Sequence, residues 1–184
     1  MEIFTERLLL RDFIADDWMA VHAYQSDEHY LRYYAWEHRT EADVRDFVHM
    51  LLAMQEARPR IKYQLAIEDR ASGLLIGNCG IRKAAPDAVE AELGYELAPN
   101  AWGNGYATEA ARAMISFAFR DLSLHRISAY CVAENQASAR VLERLGMQLE
   151  GRTREKAYYK GRWWDELHYG LLVSEWAETG WTEQ

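Results

Sequence analysis

The strongest constraint on this fold lies between Ala91 and Phe119, in the stretch AELGYELAPNAWGNGYATEAARAMISFAF. Glu90–Ala98 has strand character, and the chain then passes two glycines, Gly103 and Gly105, into a long helical pattern. Apolar residues recur at Ala107, Ala110, Ala111, Met114, Ile115, Ala118, Phe119 and Leu122, with Glu109, Arg112, Ser116 and Arg120 on the opposite face. A second strand-like run, Arg126–Val132 (RISAYCV), follows. Two strands separated by a full helix pair in parallel, through a right-handed crossover.

The rest of the chain builds around that unit. Ile3–Arg11 reads as a strand, and Asp16 and Asp17 start a helix with Trp18, Val21 and His22 at helical spacing. A second helix fits Thr40–Ala57, with Thr40 as N-cap, Asp43 three residues on, and Pro59 beyond its end. Tyr63–Glu68, Leu74–Arg82 and Glu90–Ala98 follow as strands. Their connections are too short for parallel crossovers, so they are antiparallel neighbours. ENQASARVLERLGM reads as a helix capped by Asn135 and stopped at Gly146. Met147–Glu150 and two strands around YYKGRW, with a tight turn at Lys160-Gly161, bring the chain to Val173. The expected fold class is α+β: one domain over residues 1–184 with a mixed, mostly antiparallel sheet.

A bare helix entrance asks for an explanation. A helix N-terminus leaves N–H groups unpartnered and carries partial positive charge, so a phosphate is the natural ligand. A dinucleotide fingerprint is a weak match, because Thr108 stands where a third glycine is wanted. Glu134, at the end of the next strand, also comes too late for the ribose-binding acid. Two glycines alone can be only a tight turn. The second helix start at Asn135 adds weight, since both helix ends fall at the carboxyl ends of neighbouring parallel strands, where ligands bind.

Charge and cysteines narrow the partners. Lys and Arg number 21 against 29 Asp and Glu, a formal net charge of −8, which argues against a nucleic-acid backbone as main partner. Cys79 and Cys131 lie in apolar runs with no metal spacing and read as buried thiols, and the histidines show no paired-ligand spacing. No metal is expected. With no signal-like N-terminus and no apolar run of membrane length, the cytoplasm is the expectation by elimination.

The chain resembles the GNAT superfamily of acetyl-CoA-dependent N-acetyltransferases, especially the branch that includes ribosomal-protein N-terminal acetyltransferases. The resemblance rests on TERLLLR (Thr5–Arg11), AELGYEL (Ala91–Leu97), AWGNGYATEA (Ala101–Ala110), LHRI (Leu124–Ile127), ENQASARVLERLGM (Glu134–Met147), LEGRTRE (Leu149–Glu155) and YYKGRWWDELHYGLL (Tyr158–Leu172), in that order. It implies a splayed pair formed by the Glu90–Ala98 and Arg126–Val132 strands. Pantetheine would lie between them, bonded to main-chain groups around Glu96, Leu97 and Ala98. Trp102, Gly103, Asn104, Gly105, Tyr106, Ala107 and Thr108 would wrap the pyrophosphate, with Trp102 where the family usually has Gln or Arg. Asn135 matches a coenzyme-contacting asparagine. Leu142 stands where many members carry a tyrosine acid, and Ser138 matches a serine that supports the leaving thiolate or simply opens the helix.

The implied reaction is direct transfer of acetyl from acetyl-CoA to a primary amine, a peptide N-terminus or a small-molecule amine. The Leu97 amide would polarise the thioester carbonyl. Glu92 is the candidate base and Glu96, on the same strand face, its competitor. The acceptor would sit on the far side of the sheet, near Asp27–Arg39 and the C-terminal hairpin. One ribosomal-protein-acetylating type has a carboxylate where Ala157 stands here, with Glu155 nearby, so acceptor identity does not carry over. A non-catalytic acetyl-CoA-binding module and a nucleotide-dependent oxidoreductase stand as the alternatives, and the resemblance leaves room for a homodimer.

Overall fold

In the computed structural model, which describes residues 1–178, one mixed sheet of eight strands forms the spine of the molecule. The strands are β1 (Glu2–Phe4), β2 (Leu8–Arg11), β3 (Lys62–Asp69), β4 (Leu74–Lys83), β5 (Glu90–Leu97), β6 (Arg126–Val132), β7 (Gln148–Tyr159) and β8 (Arg162–Leu172). Their spatial order is β1-β2-β3-β4-β5-β6-β8-β7, and every pairing except β5–β6 is antiparallel. The helices are α1 (Trp18–Gln25), α2 (Glu28–Leu31), α3 (Glu41–Glu56), α4 (Tyr106–Arg120), α5 (Gln136–Arg144) and α6 (Val173–Glu178). Residues 179–184 of the expected domain lie outside the described residues.

Two cores flank the sheet, and strand alternation decides which residues enter each. Ala91, Leu93 and Leu97 of β5 join Ile127, Ala129 and Cys131 of β6 under Met114, Ile115 and Ala118 of α4 and Leu142 of α5. On the opposite face a smaller core gathers Phe13, Val21, Tyr24, Tyr30, Val44, Val48 and Leu51 from the first three helices and their approaches. Charged pairs pin the entrances: buried Asp17 takes both Arg11 nitrogens, at 2.8 and 2.9 Å. Thr40 caps α3 with Asp43 returning the bond, an arrangement worth about 1 kcal/mol.

The central parallel pair is short. β5 and β6 pair only at Glu90–Arg126, Ala91–Ile127 and Glu92–Ser128. Beyond that point β5 stays bonded to β4 as far as Leu97, and β6 stays bonded to β8 as far as Val132. The two strands part, leaving a V-shaped gap between Leu93–Leu97 and Ala129–Val132.

Three expectations need correction. Ile3–Arg11 is two strands, because the chain turns at Thr5, whose N–H donates to the Leu8 carbonyl (2.9 Å) and whose hydroxyl accepts the Leu8 N–H (3.0 Å). The segment from Met147 and the first hairpin strand form one 12-residue strand, β7, with irregular register at Leu149/Gly151 and Thr153/Ala157. A short helix, α2, was not foreseen; Asp27 caps it by accepting the His29 N–H at 2.8 Å.

Candidate active site

The gap opens onto one continuous cleft of about 1310 Å³ that reaches both faces of the sheet. On the α4–α5 face its wall is the loop before α4 and the first turn of α5; on the other it is the α2 region, β4, β5 and the β7–β8 hairpin.

The loop is as bare as its sequence promises. Gly103 and Gly105 have φ of 80° and 81°, a left-handed backbone that side chains resist. Gly105 is the N-cap of α4 and supplies no side-chain cap. In the first turn, the Thr108 hydroxyl is buried without a partner and lines the cleft. An orphaned hydroxyl beside uncapped helix N–H groups fits a phosphate oxygen. Arg140 and Arg144, exposed on α5, also line the cleft, with no signal for them in the sequence pattern. The buttress behind the loop was not foreseen. Glu109 accepts from Thr5 Oγ1 (2.6 Å), Arg7 N (2.9 Å) and Arg7 Nε (2.7 Å), while Arg7 Nη1 donates to the Asn104 carbonyl (2.9 Å) and the guanidinium covers the Tyr106 ring. The TERLLLR motif carried that signal.

Most expected coenzyme residues line the cleft: Glu96, Leu97, Trp102, Gly103, Gly105, Tyr106, Ala107, Thr108, Asn135 and Ser138. Two do not. Ala98 spends its N–H on the Ile76 carbonyl at 2.8 Å, so by antiparallel alternation the Glu96 main chain also faces β4, leaving Tyr95 and Leu97 turned to the gap. Asn104 turns its amide back onto the Ala101 and Trp102 carbonyls, both at 3.2 Å. The Trp102 indole donates to the Leu97 carbonyl at 2.9 Å, leaving the Leu97 N–H as that residue's free main-chain group on the gap side.

The two candidate carboxylates have different surroundings. Glu96 accepts from Tyr24 Oη (2.7 Å), Gln25 Nε2 (2.9 Å) and Asn78 Nδ2 (2.5 Å) on one oxygen and from Tyr30 Oη (2.5 Å) on the other. Its lone pairs are spent tying α1, α2 and β4 together. Glu92 sits where β5 and β6 part and is partly exposed, with Arg82 Nη2 at 2.5 Å from one oxygen. Arg82 also donates to Gln64 Oε1 (2.9 Å), and Gln64 donates to Asn78 (2.6 Å). One polar chain thus runs Glu92–Arg82–Gln64–Asn78–Glu96 across the sheet. It lies flat because Gly80 and Gly94 face each other beneath it; a Cβ on either would overlap Gln64 or Arg82.

Around that chain the cleft is aromatic and acidic. Tyr30, Tyr34 and Trp36 form a stack with centroids 4.7 and 5.0 Å apart. The α2 region is clamped to the hairpin by Tyr159 Oη on the Tyr33 carbonyl (2.9 Å) and Lys160 Nζ on the Leu31 carbonyl (2.7 Å). Neither cysteine is a nucleophile: burial pushes the Cys79 thiol up to about 12 and that of Cys131 up to about 11. Among the described residues no group of three or more His, Cys, Asp or Glu could hold a metal, and no helix is long and apolar enough to cross a membrane.

A splayed parallel pair, with a bare helix start beside it and a carboxylate at the point of parting, frames the cleft. The chain belongs to the GNAT acetyltransferase family, whose model, described as an acetyltransferase (GNAT) domain, matches residues 7–148. It is 35% identical over 176 residues to the N-acetyltransferase YnaD of Bacillus subtilis, covering 96% of this chain and 99% of that protein. The solved structure of a GNAT-family acetyltransferase from Bacillus anthracis superposes with a TM-score of 0.81 at 34% identity, covering 94% of this chain and 98% of that one. A ribosomal protein uS5-alanine N-acetyltransferase of Escherichia coli is 26% identical over 187 residues, covering 96% and 93%. The protein is therefore an acyltransferase, an acetyl-CoA-dependent N-acetyltransferase, and the oxidoreductase and binding-module alternatives fall away.

Proposed function

We propose that the acceptor is a primary amine of lowered pKa, a peptide or protein N-terminus or a small-molecule amine, and that Glu92 assists its deprotonation. The observation that carries this reading is the cleft through the sheet, lined by the starts of α4 and α5 with Arg140 and Arg144 and also by Glu92, Glu96 and the aromatic rings of the α2 region. Acetyl-CoA supplies an acetyl group held as a thioester. The uncapped first turn of α4 with Thr108 suits its phosphates, and Asn135 and Ser138 at the start of α5 line the cleft, with Ser138 facing the departing sulfur. The Leu97 N–H is turned toward the gap to polarise the carbonyl. Glu92 keeps one oxygen clear of Arg82 and so can accept the amine proton, whereas the oxygens of Glu96 are occupied. The uS5-alanine acetyltransferase relative favours an α-amine. At pH 7 about a tenth of an α-amine is neutral, against well under about a thousandth of lysine side chains.

An acetyl-CoA turnover screen against peptide N-termini, amino acids, polyamines and aminoglycosides tests this. The expected result is fastest turnover with an α-amine; a polyamine or aminoglycoside outrunning every α-amine would overturn it.

A further inference from the structure

The cleft wall where α5 begins holds a further contact. On β5 the residues facing α4 and α5 are apolar and buried at Ala91, Leu93 and Leu97, but Tyr95 is a phenol. Its hydroxyl lies 2.8 Å from Ser138 Oγ and 3.1 Å from the Ser138 carbonyl oxygen. Tyr95 stands beyond the last β5–β6 pair, so this contact bridges the gap from strand to helix. α5 brings no phenol of its own, since Leu142 is buried in the core.

We propose that Tyr95 is a positioning residue that fixes the Ser138 hydroxyl as a hydrogen-bond donor to the departing sulfur. The inference rests on the reading that Ser138 faces that sulfur. The phenol has one hydrogen for two Ser138 oxygens, and the proposal assigns it to Oγ, the nearer of the two, which leaves the serine's own hydrogen to point elsewhere. Burial pushes the Tyr95 phenol upward, which keeps it protonated and donating at working pH. In the transfer, the C–N bond forms and the C–S bond breaks, with the electron pair staying on sulfur. Ser138 donates a hydrogen bond to that sulfur, the amine's proton goes to Glu92, and water supplies the proton of the released thiol.

The test titrates the thiol of coenzyme A bound to the protein, by thiolate absorbance, with the complex of desulfo-coenzyme A as blank. The bound thiol should ionise at lower pH than free coenzyme A. Tyr95→Phe, which keeps the ring, should raise it by about one unit, and Ser138→Ala by as much, with no further rise in the double variant. In turnover, Tyr95→Phe should lower kcat about tenfold with KM for acetyl-CoA unchanged. A parent titration that is lowered, restored by Ser138→Ala and untouched by Tyr95→Phe would overturn the positioning role alone. A parent thiol that titrates as in free coenzyme A would overturn the Ser138 reading and this inference with it. Losses in kcat that multiply in the double variant would also contradict the role of Tyr95.

Discussion

Glu92 and Glu96 share one face of β5, yet one is held by a single arginine and the other by four neutral donors. That difference makes Glu92 the residue to substitute. Glu92→Gln should lower kcat most at low pH, where the acceptor is charged, and much less where it is already neutral. Superimposable pH–rate profiles for variant and parent would remove Glu92 from the mechanism. Glu109 carries the second prediction at this scale. Burial alone would raise its pKa, but bonds from Thr5 and Arg7 and the charge of Arg7 hold it below the usual carboxylate range. A depressed folded-state pKa contributes stability above the unfolded value near 4.3, lost as pH falls through the folded one. Glu109→Gln should cost about 1–2 kcal/mol at pH 7 and approach the parent in acid. A stability gap that stays constant from neutral to acid pH would show the bonds do not depend on the charge.

The elements show what a sequence can and cannot carry. Apolar periodicity exposed α4, and the helix between two strands exposed the parallel pair, because both signals are local. The buttress at Thr5 was hidden because the acceptor of its hydroxyl, Glu109, is a hundred residues away in the chain. The polar chain over Gly80 and Gly94 was hidden for a related reason: its partners meet only through strand register. Of the cleft lining, the loop glycines, Thr108 and Asn135 were legible from the motif, while Arg140, Arg144, Arg82 and Tyr95 needed three dimensions. The loop yields a controlled prediction. Gly105→Val places a branched side chain at φ 81°, so strain of about 1–2 kcal/mol accompanies any effect on binding. Gly73, at φ 69° in the β3–β4 turn with open space around it, is the control. Both valine variants should lose stability, and only the Gly105 variant should lose coenzyme A affinity by calorimetry. Equal affinities in the two folded variants would reduce Gly105 to a turn residue.

At the scale of the whole molecule, the sheet is a partition with one opening. Splaying β5 from β6 leaves a gap through which the cleft reaches both faces. Coenzyme A should therefore stabilise the fold by roughly 2–4 kcal/mol at saturation, read as a rise in melting temperature, and NADH should not. Stabilisation by NADH with indifference to coenzyme A would contradict the phosphate reading of the α4 entrance. The central proposal is that an amine already partly neutral is presented to the thioester through the sheet. A competition assay tests it: the enzyme receives acetyl-CoA and a peptide with one free α-amine and one lysine at pH 7, and mass spectrometry maps the acetyl group. Acetylation is expected at the α-amine; acetyl found first on the lysine side chain would refute the proposal.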